Sequence, residues 1–159
     1  GLSRYLPFHT SGMMGATPYW FRSGFNAGIS FCEDCRPDGY PRELLQQAIA
    51  EGKRLRRYYA GNLHWLSRVT TSAEDWCVLQ YQRPAEGDGL LIAFRRHRSP
   101  RDRFSCALRE IDPAARYAVT LAHNFEPGTP VQMAGGDLQQ LVIEIADCPG
   151  SVVVEYRLN

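Results

Sequence analysis

The 159-residue sequence has no apolar run near the about 18 residues that a membrane helix needs. Its N-terminus carries no signal-peptide pattern, although the lack of one in a fragment says nothing about export of a parent protein. No charge of one sign dominates. Lys and Arg number 18 against 17 Asp and Glu, so the net charge of +1 gives no general pull toward nucleic acid or an acidic membrane. Internal repeats, low-complexity tracts and a clear linker are also missing. The cysteines number five, an odd and scattered set, which argues against a secreted disulfide framework and favours a reducing cytoplasm. Cys32-Glu33-Asp34-Cys35 is a lone CxxC with neither a second CxxC nor a His pair at zinc spacing. A thioredoxin-like site would start a helix at the first Cys, whereas Pro37 and Pro41 follow here. No metal and no cofactor are expected.

What is present is the composition of a globular protein, with 44% hydrophobic and 22% charged residues. Its centre is the stretch Asp75 to His97. Two apolar runs, Trp76 to Tyr81 and Leu90 to Phe94, flank Arg83-Pro84-Ala85-Glu86-Gly87-Asp88-Gly89, which reads as a β-hairpin. Val78, Gln80 and Gln82 share one face of the first run, with Leu79 and Tyr81 on the other. In the second, Leu90, Ile92 and Phe94 oppose Leu91 and Ala93. Apolar side chains on both faces predict a central pair within a larger sheet.

Ahead of the hairpin the character is different. Tyr5 to Phe8 reads as a strand, Pro18 to Phe25 as a short helix with Phe21 and Phe25 on one face, and Gly28 to Cys32 as a buried strand. Leu44, Leu45, Ala48, Ile49, Leu55 and Tyr59 then recur at helical spacing from Arg42 to about Ala60. This βα alternation is the pattern of a parallel sheet or barrel, but two units fall far short of the about 200 residues that a closed barrel takes. From Ser67 onward, short strands at Phe104–Ile111, Tyr117–Ala122, Val131–Met133, Leu138–Ile145 and Ser151–Leu158 alternate with Pro- and Gly-rich turns. The expected fold is mainly β: an antiparallel β-sandwich over residues 67–159, preceded over 1–66 by an incomplete βα segment. The basic runs Lys53 to Arg57 and Arg95 to Arg98 read as solvated charge. The aromatic residues of the sandwich, Trp76 and Tyr156 among them, read as core, and Glu144 and Glu155 as solvent-facing.

The order of short motifs carries a resemblance. Pro7-Phe8-His9, Thr17-Pro18-Tyr19-Trp20-Phe21-Arg22-Ser23 and Gly28-Ile29-Ser30-Phe31 look like the last two βα units of a catalytic barrel. Tyr58-Tyr59-Ala60-Gly61-Asn62, Trp76-x-x-x-Gln80-x-Gln82-Arg83-Pro84, Gly89-x-x-x-Ala93-Phe94-Arg95-Arg96 and Leu108-x-x-Ile111-Asp112-Pro113-x-Ala115-x-Tyr117 are similar to the C-terminal portion of melibiase-like α-galactosidases. The resemblance implies a retaining glycoside hydrolase with a (β/α)₈ barrel and a sandwich packed behind it. Such enzymes use two carboxylates about 5–5.5 Å apart. In that family both lie upstream of the portion matched here, so no catalytic residue is expected in this chain. The implied partner is a galactoside-like carbohydrate, met through the parent barrel. One wall of the sugar pocket would remain, with His9 and Asp34 bonding hydroxyls and Trp20 offering a stacking face. For each of these the plainer reading is a core histidine, a turn carboxylate ion-paired with Arg22, and a packing indole.

The chain is therefore expected to be a non-catalytic C-terminal fragment whose sandwich covers barrel surface. Exposure of Leu44, Leu45, Ile49 and Leu55 would favour a homo-oligomer. The alternatives are a carbohydrate-binding or interaction sandwich without chemistry, a stand-alone scaffold and, last, a protein built on the CxxC.

Overall fold

The computed structural model describes Gly12, residues 15–24, Cys32 and residues 34–159. The strand expected over Tyr5 to Phe8, all but the end of that over Gly28 to Cys32, and the candidate His9 lie outside the described residues.

Pro18 opens α1 (Pro18–Gly24), where its fixed φ and missing N–H suit a first helical turn. The long helical period becomes α2 (Arg42–Leu55), continued by a 3₁₀ turn over Arg56–Ala60. Glu43 in the first turn of α2 and Lys53 and Arg54 in the last complement the helix dipole. The strands follow: β1 (Asn62–Trp65), β2 (Cys77–Arg83), β3 (Asp88–Arg95), β4 (Arg103–Cys106), β5 (Arg116–Ala122) and β6 (Val131–Ala134). A single turn of helix, α3 (Gly135–Leu138), precedes β7 (Leu141–Glu144) and β8 (Gly150–Leu158).

Six strands form one sheet in the order β1-β2-β3-β8-β5-β6, and β4 pairs with β7 in a second. Every pairing is antiparallel. The fold is thus mainly β and sandwich-like, with the β2–β3 hairpin inside the large sheet. The last strand, β8, is inserted between β3 and β5, setting Leu91 opposite Val154, Ile92 opposite Val153 and Ala93 opposite Val152. That position explains its unbroken Val152-Val153-Val154 run, since a central strand covered on both sides has no solvent face. The sheet also reaches further back than the expected change at Ser67. β1 is a half-exposed edge strand whose Asn62-Leu63-His64-Trp65 carries no clear alternation of burial.

Strand alternation divides the core in two. Val78, Leu91, Ala93, Val152, Val154 and Tyr156 face the β4–β7 sheet and meet Phe104, Leu141 and Ile143. Leu79, Tyr81, Leu90, Ile92, Phe94 and Val153 face the other way and meet Leu55, Tyr58 and Tyr59 from the helical segment. Leu55 is therefore buried within the chain, and Leu44 and Leu45 pack against a small cluster of Phe21, Ala48 and Phe125. Most of the apolar helix face expected to be exposed is covered by the chain itself.

The sandwich core contains a polar network. Gln80, fully buried, accepts from the Arg109 N–H (2.8 Å) and donates to the Arg109 carbonyl (2.9 Å) and to Tyr156 Oη (2.6 Å). Tyr156 in turn donates to Gln82 Oε1, and Gln82 Nε2 reaches the Glu110 carbonyl. One glutamine thus does for the Arg109 backbone what a neighbouring strand would do, just ahead of Glu110 at its positive φ of 56°. Gly89 leaves room for the network, since a Cβ there would collide with Tyr156 Oη and Gln82 Oε1. Replacing Gln80 with Leu orphans both Arg109 backbone groups. The expected loss is about 2–4 kcal/mol, read from urea midpoints of the two proteins.

The charged runs do structural work rather than dissolve in water. Arg95 donates to the carbonyls of Ile145, Ala146 and Ser99, and Arg96 to those of Thr70 and Ser72. Glu155 is also not solvent-facing: it turns toward the helical layer and takes Arg54 and the Tyr58 hydroxyl. Glu144 stays exposed and pairs with Arg103 at 3.0 Å. No disulfide joins the five cysteines, and burial pushes the Cys106 thiol up to about 11. No helix among the described residues is long and apolar enough to cross a membrane.

Candidate functional site

The short helix α1 sends its side chains in three directions. Phe21 goes inward against Phe125, with ring centroids 5.6 Å apart. Tyr19 lies edge-on to Phe94 and beside His97, at 5.6 and 5.5 Å. Trp20 faces outward and is 38% exposed, the only tryptophan of the three outside the buried and half-buried classes.

Arg22 is the pivot of the helix. It is buried, and its guanidinium makes a two-pronged ion pair with buried Glu51 of α2, Nε to Oε1 at 2.7 Å and Nη2 to Oε2 at 2.8 Å. The same group donates to the carbonyls of His123, Asn124 and Ser151 and to the Ser151 hydroxyl. One side chain therefore ties α1 to α2, to the end of β5 and to the start of β8. This geometry uses the planar fork of arginine and could not be made by lysine. The ion pair expected between Arg22 and Asp34 does not form. Asp34 lies on the surface and takes Arg36 instead, at 2.8 and 3.0 Å, because a carboxylate two residues away in a turn is the nearer partner. The Arg36 guanidinium, with its backbone N–H, holds the Asp34 carboxyl below its ordinary range.

A cleft of about 1060 Å³ opens beside α1. Thr17 to Trp20 form one wall, and His123 with the connection from Glu144 to Ser151 forms the other. Guanidinium groups hold both ends of that connection, Arg95 at Ile145 and Ala146 and Arg22 at Ser151. Cys148 Sγ donates to the Arg96 carbonyl between them. Indole, imidazole and carboxylate side chains line the cleft, with Glu144 already taken by Arg103 and no Lys or Arg among the described lining residues. Such a surface suits a neutral polyhydroxyl ring, one face stacked and the edges hydrogen-bonded, better than an anion. Of the three residues expected at a sugar site, Trp20 lines this cleft, Asp34 does not, and His9 lies outside the described residues. Asp147 and His123 are the lining groups that sequence reading missed. Neither belongs to a motif, and only the fold brings them opposite Trp20.

No protein-family model matches the sequence, and no curated protein matches it. Solved structures do. A GH36 α-galactosidase, AgaA of Geobacillus stearothermophilus in complex with raffinose, superposes with a TM-score of 0.60 over 80% of this chain at 13% identity. The α-galactosidase of Lactobacillus brevis gives 0.59 over 82% at 12% identity. The fold is that of one segment of a GH36 α-galactosidase. AgaB of Geobacillus stearothermophilus agrees, at a TM-score of 0.55 over 78% of the chain and 14% identity. The resemblance carried by the sequence motifs points to the same enzymes. The likeness is one of architecture, and the chain covers only 16–18% of the length of these three structures.

Proposed function

We propose that this chain is the C-terminal portion of a retaining α-galactosidase-like glycoside hydrolase, comprising the last βα units of the barrel over residues 1–66 and the sandwich over 67–159. Its role is to complete and cover the barrel, and it carries no catalytic carboxylate pair. The observation that supports this reading is the coupling of the two parts. Arg22 and Glu51 from the barrel-like segment share a buried ion pair that is hydrogen-bonded to Ser151 of the sandwich. Leu55, Tyr58 and Tyr59 share a core with the large sheet. Two layers that bury each other's apolar surface hold each other in place, at roughly 25 cal/mol per Å² of area removed from water. In the parent, a galactoside is bound by the barrel, with His9 and Trp20 on one wall. The test is hydrolysis of p-nitrophenyl α-galactoside by the 159-residue chain. No turnover above buffer is expected, and a turnover that survives repurification contradicts the assignment.

A second reading, direct carbohydrate binding without chemistry, is favoured by one observation, the exposed Trp20 on the cleft opposite Asp147 and His123. The three tryptophans give three indole N–H signals in a nitrogen-15 correlation spectrum. Trp76 Nε1 is tied to the Arg101 carbonyl and Trp65 Nε1 is buried. Titration with raffinose is expected to move the Trp20 signal alone, and Trp20→Ala to remove the response. An unmoved Trp20 signal at saturating sugar rules this reading out.

A further inference from the structure

On the helix side of the large sheet, beyond the cover given by α2 and its 3₁₀ turn, β5 and β8 are left open. The groove there has a volume of about 250 Å³, the space of about eight waters. Ala118 and Thr120 of β5 give it a low floor. Arg54, Arg57 and Arg157 surround it, with Glu155 as the carboxylate among the lining residues. We infer that this groove is a binding site for a small tetrahedral dianion, inorganic phosphate or the phosphoryl group of a sugar phosphate.

The charge in this part of the molecule is unbalanced. Glu51, the other carboxylate within reach of Arg54, is already engaged by both prongs of Arg22 and stands 4.0 Å from Arg54 Nη2. Glu155 is shared by Arg54, by Arg57 at 3.8 Å and by the Tyr58 hydroxyl at 3.2 Å. Arg157 pairs with no carboxylate among the described residues. Four guanidinium groups thus answer to two carboxylates. Arg54 Nη2 is buried and donates no hydrogen bond. An N–H withdrawn from water and left without an acceptor is costly, and an oxyanion in the groove would offset that cost through its charge, the direct contacts falling to the exposed Arg57 and Arg157. Burial correspondingly pushes the Arg54 guanidinium below its ordinary value despite the carboxylates nearby. Guanidinium forks match tetrahedral oxyanions in geometry as well as in charge. The shallow floor and small volume admit a headgroup and not a peptide or helix. The site is distinct from the Trp20 cleft and does not depend on the glycoside hydrolase reading.

The experiment is thermal unfolding of the full chain in inorganic phosphate and, separately, in glucose 6-phosphate, each against sodium chloride at matched ionic strength. Arg57→Gln/Arg157→Gln serves as the control protein because both side chains are exposed and removable without opening the core. The wild-type melting temperature is expected to rise saturably, by about 5–10 °C at a hundredfold excess over Kd, and the double variant to stay flat. A larger rise with glucose 6-phosphate identifies a phosphosugar site, and an equal rise a free oxyanion site. An equal rise in wild type and variant is the general salting effect of phosphate and overturns the proposal, as does no rise in either.

Discussion

Arg22→Met is expected to cost the protein about 3–5 kcal/mol, because it strands the Glu51 carboxylate in an apolar layer with its main partner gone. The Ser151 hydroxyl and the carbonyls of His123, Asn124 and Ser151 lose a shared donor in the same step. For a chain of this length the melting temperature should fall by about 10 °C or more. The double variant Arg22→Met/Glu51→Met separates the causes. Removing both charges abolishes the uncompensated carboxylate, so a large part of the stability should return, as it does when a buried pair gives way to apolar side chains of similar size. Urea titrations of wild type, both single variants and the double variant measure this coupling. If Arg22→Met matches wild type, α1 is not anchored as described.

Alkaline unfolding should be equally marked. Burial pushes the phenols of Tyr59, Tyr81 and Tyr156 well above the ordinary value of 10.0. Below pH 10 both folded and unfolded chains keep these protons and the contribution to stability is intact. Above it the unfolded chain releases them while the folded chain holds them, so stability falls as pH rises. Each tyrosine removes about 1.4 kcal/mol per pH unit, and the three together about 4. A domain of ordinary stability, about 5–15 kcal/mol, should therefore unfold cooperatively within a few pH units above 10. Tyrosinate absorbance and far-ultraviolet circular dichroism should change together. Ionisation of all the tyrosines near pH 10 with the circular dichroism unchanged would contradict the burial of these rings.

The sheet was legible because its signals are local. Alternation in the hairpin assigned each side chain from Val78 to Gln82 and from Leu90 to Ala93 to its face, and those faces became the two halves of the core. The helical period of α2 was equally local. Strand order was not legible, since nothing in the sequence of β8 says that it inserts between β3 and β5. Pairings of charged residues were read poorly for the same reason. Arg22 finds Glu51, 29 positions away, and Arg95 finds Ile145, 50 positions away. Sequence proximity suggested Asp34 for the first and solvent for the second. The motifs that carried the family resemblance are largely scaffold. Gln80, Gln82 and Tyr117 bind loop backbone or one another's partners, and Trp76 stacks on Phe104. This is why the motifs pointed to the fold and left the site open: His123, just past β5, and Asp147, past β7, come to line one cleft with Trp20 only through the fold.

On the proposed reading, these 159 residues work as the end of a much larger enzyme. The intact mass of the native protein bearing this sequence, isolated from its source and identified by its peptides, decides whether they do. A mass several times 18.0 kDa is expected, with upstream peptides that include two barrel aspartates. A native species of 18.0 kDa whose peptides begin near Leu2 would show instead that the chain works alone.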